Sequence, residues 1–467
     1  MMIGRTANTN IIADAVAGHI EAAGLWHIPG GREQDNRRAH LISPVPFPLT
    51  ASQFDELQRL GDALLAFYSS LNNIYLQKKT DWVNEYLDIG KGEDLLRHAR
   101  MRYQKAALPG IIRPDVLMTD DGFQITELDS VPGGFGHLDC LSAAYADCGF
   151  DLIGTGRGIR DGFAAMLRDV AKQEDPVVAI VVSEESKDYL PEMTYLANEL
   201  QRLGLRAFAV APGELIFTEE CLYIEADSGR LKIDVVYRFF ELFDALNIPK
   251  FELVSYAARK RLVVVTPPYK PFLEEKMLLG LFRNPALERY WRDSLGEHYR
   301  VLDATLADTH IFDNRIVPPN AEISGFRWKG EPIRDWNVIK EGSQKERRLV
   351  LKPSGFSPIA WGSRGVKIGH DMSGDDWSDA VDNALGSFDS SPWVLQRFRD
   401  TSLIGVKYFS DGEVREMKAR VRLCPYYFVV NGRANLGGVL ATACPKDKKL
   451  IHGMTDAVMM PCRIKED

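Results

Sequence analysis

Three acidic residues in the segment RPDVLMTDDGFQITELD (113–129) have the types and the spacing to bind a metal ion together, and an arginine accompanies them. Arg113 and Asp115 precede a short apolar run, and Glu127 and Asp129 end a second run that favours a strand. Successive side chains of a β-strand point to opposite faces, so residues two apart share a face. If the two runs pair as a hairpin, the four side chains lie together on one face.

The loop between the two runs decides which residues stand opposite each other. The sequence Asp-Asp-Gly at 120–122 suits a three-residue hairpin loop, a type I turn followed by glycine in the left-handed region. This loop places Asp115 opposite Glu127 and Arg113 opposite Asp129. A two-residue loop would shift the register by one residue and scatter them. We therefore predict the three-residue loop.

Carboxylates that face each other across a strand pair repel, so a cation must stabilise this hairpin. Arg113 is one such cation. A divalent metal is the second, because Mg²⁺ prefers oxygen ligands and is usually shared with substrate phosphates. Asp115, Glu127 and Asp129 are the predicted metal ligands. The alternative is a solvated acidic face that contains a single ion pair.

Length and composition narrow the class of protein. The chain has 467 residues, 45% of them hydrophobic, which suggests two or three globular domains at roughly 100–200 residues each. Its net charge of −8 argues against a general nucleic-acid binder. We find neither a secretory signal nor an apolar run of the roughly 18 residues that a membrane span needs. The six scattered cysteines suit reduced thiols, so we expect a cytoplasmic protein.

The hydrophobic pattern predicts four regions along the chain. A capping box at Thr50–Gln53 opens a long amphipathic helix, and "VVAIVV" followed by a helix and "LRAFAV" indicates a small α/β unit with a parallel sheet. The segment 221–239 suggests two strands around an Asp-Ser-Gly turn. The predicted regions are 1–110, mainly helical; 111–175, the acidic hairpin and following helices; 176–266, the α/β unit; and 267–467, which follows a Pro-rich joint and becomes strand-rich from 348.

A second group of candidate residues lies in LVLKPSGFSPIAWGSRGVKIG (349–369). A strand delivers Lys352, and Gly362, Ser363, Arg364 and Gly365 follow in a loop. Glycines let backbone N–H groups approach an anion, and a fixed lysine adds a point charge for phosphate. The motif is not a P-loop, because GxxxxGK[ST] is absent and a strand follows. It fits a flexible flap over a triphosphate, the alternative being a hairpin loop with a solvated lysine.

Three further residues are weaker candidates. Lys276 lies in an otherwise apolar helical segment, where it either snorkels to solvent or reaches a site. Gln396 ends a buried-looking strand of the kind against which a nucleotide base packs. Arg238 ends a strand of the α/β unit, where ligands bind in open α/β sheets, and an arginine there suits a carboxylate. The sequence "GTGRG" (154–158) lacks GxGxxG spacing, and we interpret it as a glycine-rich lead into a helix.

Together these residues resemble the circularly permuted ATP-grasp enzymes, particularly the synthetase domain of glutathionylspermidine synthase. In that family an Arg-x-Asp pair is followed, twelve residues after the Asp, by Glu-x-Asn. Here Arg113-x-Asp115 is followed by Glu127-x-Asp129 at the same interval. "EEKMLLGLF" resembles the family's lysine-containing helix segment, and "LVLKPSGF…GSRGV" its Lys-Pro strand and flap. The resemblance covers roughly residues 100–460.

The chain also departs from that family. Asp129 replaces the usual Asn and adds negative charge to the predicted metal site. The flap between Lys352 and Gly362 is not a close match. No Cys-His amidase signature precedes the hairpin, although some glutathionylspermidine enzymes carry an amidase domain. The identity of the substrates therefore does not transfer.

The resemblance implies an α+β (α/β) protein with an ATP-grasp fold in circularly permuted order, a small parallel-sheet domain and a helical N-terminal region. It implies an ATP-dependent carboxylate–amine ligase that works through an acyl phosphate, with ATP and Mg²⁺ as cofactors and a small carboxylic acid and an amine as substrates. Asp115, Glu127 and Asp129 would hold magnesium, and Arg113 would neutralise the transferred phosphoryl group. Lys276 and Lys352 would hold the α- and β-phosphates.

Two other functions remain open from the sequence. A phosphotransferase on the same scaffold would make a stable phosphorylated product. A non-catalytic nucleotide-binding protein would bind without turnover, and Asp129 and the altered flap favour that alternative.

Overall fold

The structure is a computed structural model that describes residues 5–26, 40–77, 80–129, 131–315, 317–318, 321–323, 325–360, 364–454 and 456–465. The α-helices are α1 Arg5–Ala22, α2 Ala51–Gln77, α3 Asp81–Asp88, α4 Glu93–Ala99, α5 Phe135–Asp147, α6 Gly158–Ala171, α7 Leu190–Arg202, α8 Phe251–Arg259, α9 Met277–Arg283, α10 Glu288–Leu295, α11 His298–Thr305 and α12 Gly374–Gly386. In the described ranges, each helix is too short or too polar to cross a lipid bilayer.

The β-strands form several sheets. They are β1 Phe47–Leu49, β2 Ile111–Thr119, β3 Gly122–Asp129, β4 Val177–Val182, β5 Arg206–Val210, β6 Ile216–Phe217, β7 Leu222–Ala226, β8 Gly229–Lys232, β9 Val235–Phe239, β10 Val264–Thr266, β11 Thr309–Phe312, β12 Arg327–Trp328, β13 Glu331–Pro332, β14 Leu349–Pro353, β15 Lys367–Ile368, β16 Trp393–Arg397, β17 Leu403–Ser410, β18 Glu413–Val430, β19 Arg433–Pro445 and β20 Val458–Ile464.

The largest sheet carries the acidic hairpin at one edge. Its order is β1-β20-β19-β18-β2-β3, and β17 pairs with the first half of β18. The strand-rich pattern predicted after residue 348 includes here one long strand, β18, of 18 residues. Pro425 lies inside it without a lost sheet bond to β2, because β18 pairs with β2 at residues 422–423 and again at 427–428.

Helices cover both faces of this sheet and bury two separate cores. On one face α2 packs against the sheet and α9–α11, with Leu64 and Leu71 fully buried. On the other face α5 and α6 pack, and Phe135 meets Phe163 edge to face at 5.2 Å. Each fully buried leucine or phenylalanine contributes about 1.5–3 kcal/mol. The predicted capping box of α2 is confirmed, since Thr50 and Gln53 exchange hydrogen bonds of 3.0 and 3.2 Å.

The predicted α/β unit contains a parallel sheet of order β10-β9-β4-β5, which confirms the strand–helix–strand pattern. The prediction of two strands in 221–239 is wrong, because three strands form there. Asp234 separates β8 from β9. Its carboxylate accepts a 2.9 Å hydrogen bond from the backbone N–H of Val177, so the chain leaves one sheet and joins the other at this residue.

A third sheet, β11-β16-β14-β15, is antiparallel and carries α12 on its outer face. The sequence was interpreted as strand-rich here, and α12 was missed although Ser373 caps it by accepting a 3.1 Å bond from the backbone of Asp376. This sheet is joined to the acidic hairpin by backbone pairing, since the N–H of Ala307 donates to the Ile125 carbonyl at 2.9 Å. Residues of both sheets line a cleft beside this junction.

Candidate active site

The acidic hairpin has the predicted pairs but not the predicted loop. Thr119 pairs with Gly122, so the loop has two residues, and the three-residue prediction is wrong. A bulge then shifts the register between Asp115 and Val116, and the extra residue on the other strand is Thr126. The bulge cancels the shift that the shorter loop causes.

The two predicted cross-strand pairs are therefore present. Asp115 stands opposite Glu127, and Arg113 stands opposite Asp129. The Arg113 guanidinium bridges the two aspartates, donating to Asp115 and, at 2.5 Å, to Asp129. This places the positive charge of an arginine between two of the predicted metal ligands.

Asp115 has a second cationic partner that the sequence analysis missed. Arg422 on β18 donates to its other oxygen at 2.8 Å, and the Cys424 thiol lies 3.5 Å from the first. Burial alone would raise the pKa of Asp115, but the guanidiniums of Arg113 and Arg422 hold it at about 2. The alternation of Arg420, Arg422 and Cys424 indicated a shared face, but nothing in the sequence showed that β18 adjoins β2.

Two predicted phosphate-binding lysines meet the hairpin from the other side of the cleft. Lys276 directly precedes α9, and its ammonium lies 2.9 Å from the Glu127 carboxylate. Lys352 on β14 donates to the Thr126 carbonyl at 3.3 Å. Burial, with the neighbouring charge of Lys276, lowers the pKa of Lys352 to about 8, although Glu127 and Asp115 act in the opposite direction. Lys352 therefore lines the cleft itself, while Lys276 lies at its end, paired with Glu127.

Gln396 on β16 lies at the same place but does not present a free amide. Its side-chain nitrogen donates to the Thr126 carbonyl at 3.1 Å and to the Thr309 hydroxyl at 3.0 Å. Gln396 thus ties the hairpin to the third sheet. Its predicted contact with a nucleotide base stays a prediction.

The predicted flap is only partly within the described residues, since Gly362 and Ser363 lie outside them. Arg364 forms an ion pair with Glu185 at 3.4 Å. Gly365 packs tightly against its own loop, because a Cβ atom there would lie 2.8 Å from the Ile359 carbonyl oxygen. A larger residue at 365 would therefore displace the loop.

Arg238 is a buried structural residue in this structure. Its guanidinium donates to the carbonyls of Pro267 at 3.3 Å and Pro268 at 3.4 Å, and also to Phe240 and the carboxylate of Glu274. Its side chain is fully buried. Sequence reasoning placed it at the end of a strand correctly, but its predicted role as a ligand for a substrate carboxylate gains no support from these contacts.

A buried acidic group that the sequence analysis did not recognise adjoins Asp129. Burial raises the pKa of Asp129, Glu241 and Glu274. Repulsion between carboxylates raises these pKa values further: Glu127 acts on Asp129, Glu274 acts on Glu241, and Asp129 acts on Glu274. The hydroxyl groups of two neighbouring tyrosines in this region are buried and have no hydrogen-bond partner within the described residues. They are Tyr68 and Tyr237, and the negative charge of Asp129 raises the pKa of each further.

The cleft between the hairpin and the third sheet is lined by more cationic than anionic side chains, and Arg397, Lys449 and Arg422 are each paired with an aspartate. Six cationic side chains line it against two carboxylates: Lys352, Arg397, Arg399, Arg420, Arg422 and Lys449 against Asp115 and Glu127. Its remaining wall is largely apolar, formed by Leu117, Val350, Val366, Ile368, Phe398, Leu450 and Ile451. This combination suits a polyanion attached to a planar apolar group.

The cleft is narrow in this structure. Its cavity volume is about 110 Å³, below the roughly 300–1,000 Å³ typical of small-molecule sites. A nucleotide would therefore require the two sheets to move apart. A larger groove of about 1380 Å³ lies between α1, α5, α6 and α7, and it contains none of the predicted site residues.

The predicted metal ligands have suitable chemistry but are paired with cations. In the part of the chain that the structure describes, no group of three or more His, Cys, Asp and Glu side chains is arranged to hold a metal ion. Arg113 and Arg422 are paired with the carboxylate of Asp115, and Lys276 is paired with that of Glu127. Carboxylate oxygens are the ligands that magnesium prefers, so the residue types suit that ion, but Arg113, Arg422 and Lys276 would have to release these oxygens before it could bind.

Two of the sheets, one bearing the acidic hairpin and the other the lysine strand, flank a cleft lined by cationic side chains, and helices cover both faces of the larger sheet. The chain shares this fold with a glutathione synthetase-like effector from Globodera pallida, solved in its apo form. The TM-score is 0.57, the alignment covers 98% of each chain, and the sequences are 10% identical.

Two further solved structures are more distant. A putative gamma-glutamylcysteine synthetase from Methylobacillus flagellatus aligns over 88% of this chain and 87% of its own, at 10% identity and a TM-score of 0.41. D-alanyl-alanine synthetase A from Vibrio cholerae aligns over 61% and 88%, at 8% identity and a TM-score of 0.26. At these scores they add nothing to the argument. Neither a protein-family model nor a curated protein sequence matches the chain.

Proposed function

We propose that the chain is an ATP-dependent carboxylate–amine ligase that works through an acyl phosphate. The observation that carries this proposal is the meeting of the acidic hairpin with Lys276 and Lys352 at one end of a cleft lined by six cations. These regions are more than 140 residues apart in the sequence. The shared fold with a glutathione synthetase-like effector and the resemblance to glutathionylspermidine synthase support the same reaction class.

The nucleotide would lie with its triphosphate toward the hairpin and its base toward the apolar wall. Lys276 and Lys352 would hold the phosphates, and widening of the cleft would free Lys276 from Glu127. Arg364 and Gly365 belong to the loop that would then cover the phosphates and exclude water, together with Gly362 and Ser363. Exclusion of water matters because an acyl phosphate hydrolyses readily.

The proposed reaction has two displacement steps. The substrate carboxylate oxygen attacks the γ-phosphorus and ADP leaves; the amine, once deprotonated, then attacks the acyl carbon, phosphate leaves, and the proton that the amine nitrogen loses passes to the departing phosphate or to water. Magnesium, held by Asp115, Glu127 and Asp129, would supply positive charge to the β- and γ-phosphates. Arg113 lies between two of these carboxylates and would neutralise the transferred phosphoryl group.

The acidic group beside the hairpin suits the second substrate. Asp129, Glu241 and Glu274 are carboxylates whose pKa values are raised, and a cationic amine would relieve their repulsion. Asp129, which replaces the Asn of the related family, adds to that negative charge. A small molecule bearing an amine is therefore the acceptor that we propose.

The order of the parts along the chain supports a permuted ATP-grasp topology. The hairpin comes first, the α/β unit follows, and the lysine strand and glycine loop come last. We propose the four regions 1–110, 111–175, 176–266 and 267–467 as the domain organisation. Expression of 176–266 alone tests one boundary, because an independent domain would unfold cooperatively.

Release of ADP by the purified protein tests the function. A panel of small acids and amines is screened with Mg·ATP, and the proposal expects ADP and phosphate only where an acid and an amine are both present. ADP released with the acid alone, accompanied by a stable phosphorylated acid, would show a phosphotransferase instead. The amide product, identified by mass, confirms the ligase.

A non-catalytic nucleotide-binding protein is the second candidate, and one observation favours it. Both oxygens of Asp115 are already held by arginines, and Glu127 is paired with Lys276, so an arginine–lysine set takes the place of the metal. Calorimetry separates the two. Binding of ATP that is equally tight with magnesium and with EDTA, without turnover across the panel, would support this alternative.

A further inference from the structure

A buried chain of polar side chains lies directly behind Lys276. The ammonium of Lys91 donates to one oxygen of Glu275, and both side chains have no exposure to solvent. The other oxygen of Glu275 accepts from the Ser354 hydroxyl, which in turn accepts a 3.0 Å hydrogen bond from the backbone N–H of Met277. The chain thus connects the segment before α9 with the loop that follows β14.

This arrangement fixes the position of Lys276 from both sides. Its neighbours in sequence, Glu275 and Met277, are both bonded to Ser354. Its ammonium donates to the Ser354 carbonyl at 3.1 Å and to the Ala360 carbonyl at 2.7 Å. Lys276 is therefore held on the root of the loop 354–360, not merely near it.

The backbone packing at this point allows little variation. A Cβ atom on Gly355 would lie 2.2 Å from the carbonyl oxygen of Glu274, so the two segments touch through their main chains. Ser354 is two residues from Lys352. The position of one phosphate-binding lysine is consequently tied to the position of the other.

Stability alone does not account for a buried ion pair here. Removing two charges from water costs about as much as their attraction returns, and apolar pairs of similar size are often as stable. A fully hydrogen-bonded polar chain, in contrast, permits one geometry only. The polar chain is therefore better suited to fixing a position than to stabilising the fold.

We propose that Lys91, Glu275 and Ser354 are positioning residues that hold Lys276 and the root of the loop 354–360 in the geometry that receives the nucleotide phosphates. This inference rests on the proposed function and adds residues to it that sequence analysis did not single out. A charged group that is already fixed in position stabilises a bound ligand more than a mobile one does, because its side chain need not be ordered when the ligand binds.

Two matched double variants test the proposal. Lys91→Met with Glu275→Gln removes both charges but keeps an oxygen that accepts from Ser354. Lys91→Met with Glu275→Leu removes that acceptor at nearly the same size. We expect kcat/KM for ATP to fall about tenfold or more in the leucine variant relative to the glutamine variant, while their urea unfolding midpoints stay close. Ser354→Ala, which removes the hydroxyl, should lower kcat/KM as the leucine variant does. Ser354→Thr, which keeps the hydroxyl, should retain most of the activity.

Hydrogen exchange provides a readout that does not require turnover. The backbone amides of 354–360 should exchange several-fold faster in the leucine variant and in Ser354→Ala, and the affinity for Mg·ATP in calorimetry should fall in parallel. Equal exchange, equal ATP affinity and equal kinetics in the two double variants would overturn the proposal. If the wild-type protein shows no turnover, the ligase assignment fails, while exchange and binding still decide the role of the polar chain.

Discussion

The surroundings of Lys352 predict how kcat/KM for ATP depends on pH. Burial between the two sheets lowers the pKa of its ammonium from 10.5 to about 8. Lys352 is therefore cationic below that pH and neutral above it. Its protonated fraction falls from about nine-tenths at pH 7 to about one-tenth at pH 9, since each pH unit past the pKa changes the ratio tenfold. If the ammonium binds phosphate, kcat/KM for ATP falls about tenfold over that interval, because this ratio reports the free enzyme.

The assay is ADP release at subsaturating ATP between pH 6 and 10, or calorimetric ATP binding over the same range. Lys352→Arg is the informative variant, since a guanidinium stays charged to pH 10 and the alkaline decline should disappear. Lys340→Arg, the same change at a lysine paired with Asp382 outside the cleft, should retain the decline. An alkaline decline that persists unchanged in Lys352→Arg would refute the reasoning.

Four further predictions separate structural from functional roles. Asp115→Asn should cost about 2–4 kcal/mol in urea unfolding, because it leaves Arg422 without its buried carboxylate partner and Arg113 with Asp129 alone. In the wild type this stability is present above the usual pKa of 3.8 and is lost as the pH falls toward about 2. Glu127→Gln, a partly exposed partner of Lys276, should change stability by less than about 1 kcal/mol yet reduce turnover strongly, and normal turnover would argue against the metal set. Gly154→Ala should cost about 3 kcal/mol or more in the free energy of unfolding measured with denaturant. Gly154 has φ +83°, and a Cβ atom there would lie 1.8 Å from the Gly437 carbonyl oxygen. The control Gly213→Ala should be near neutral, because its Cβ would meet nothing within 4 Å. Arg238→Met should cost about 3–5 kcal/mol because it strands the Glu274 carboxylate; unchanged stability with a raised KM for the acid would restore its predicted role in substrate binding.

The hairpin shows how far local sequence reasoning reaches. Alternation along two strands was enough to predict that Asp115 faces Glu127 and Arg113 faces Asp129, and both pairs are present. The loop was wrong because Asp-Asp-Gly is compatible with either length. The bulge at Thr126 depends on packing that a local pattern does not encode, and it restored the pairing only by compensating for the shorter loop.

Long-range partners account for most of what the sequence did not predict. Arg422 reaches Asp115 because β18 adjoins β2, and Lys91 reaches Glu275 across 184 residues. Arg238 illustrates the opposite error. The sequence predicted that Arg238 lies at the end of a strand. Its guanidinium, however, donates to the carbonyls of Pro267 and Pro268, and only the three-dimensional fold brings that segment next to it.

The "GTGRG" segment is explained by packing. It leads into α6 at Gly158, as the sequence analysis interpreted it. Its glycines are needed because the turn passes against β19, where a Cβ on Gly158 would lie 2.2 Å from the Gly437 carbonyl oxygen. A glycine-rich turn before a helix therefore reflects close backbone contact here.

A crystal structure of the protein with magnesium and a non-hydrolysable ATP analogue tests the central claim most directly. The account predicts a widened cleft with the triphosphate between Lys276 and Lys352, the metal on Glu127, Asp129 and Asp115, and the base against Val350 and Phe398. An analogue bound instead in the groove between α1, α5, α6 and α7, or a cleft that stays closed at saturating analogue, would contradict it.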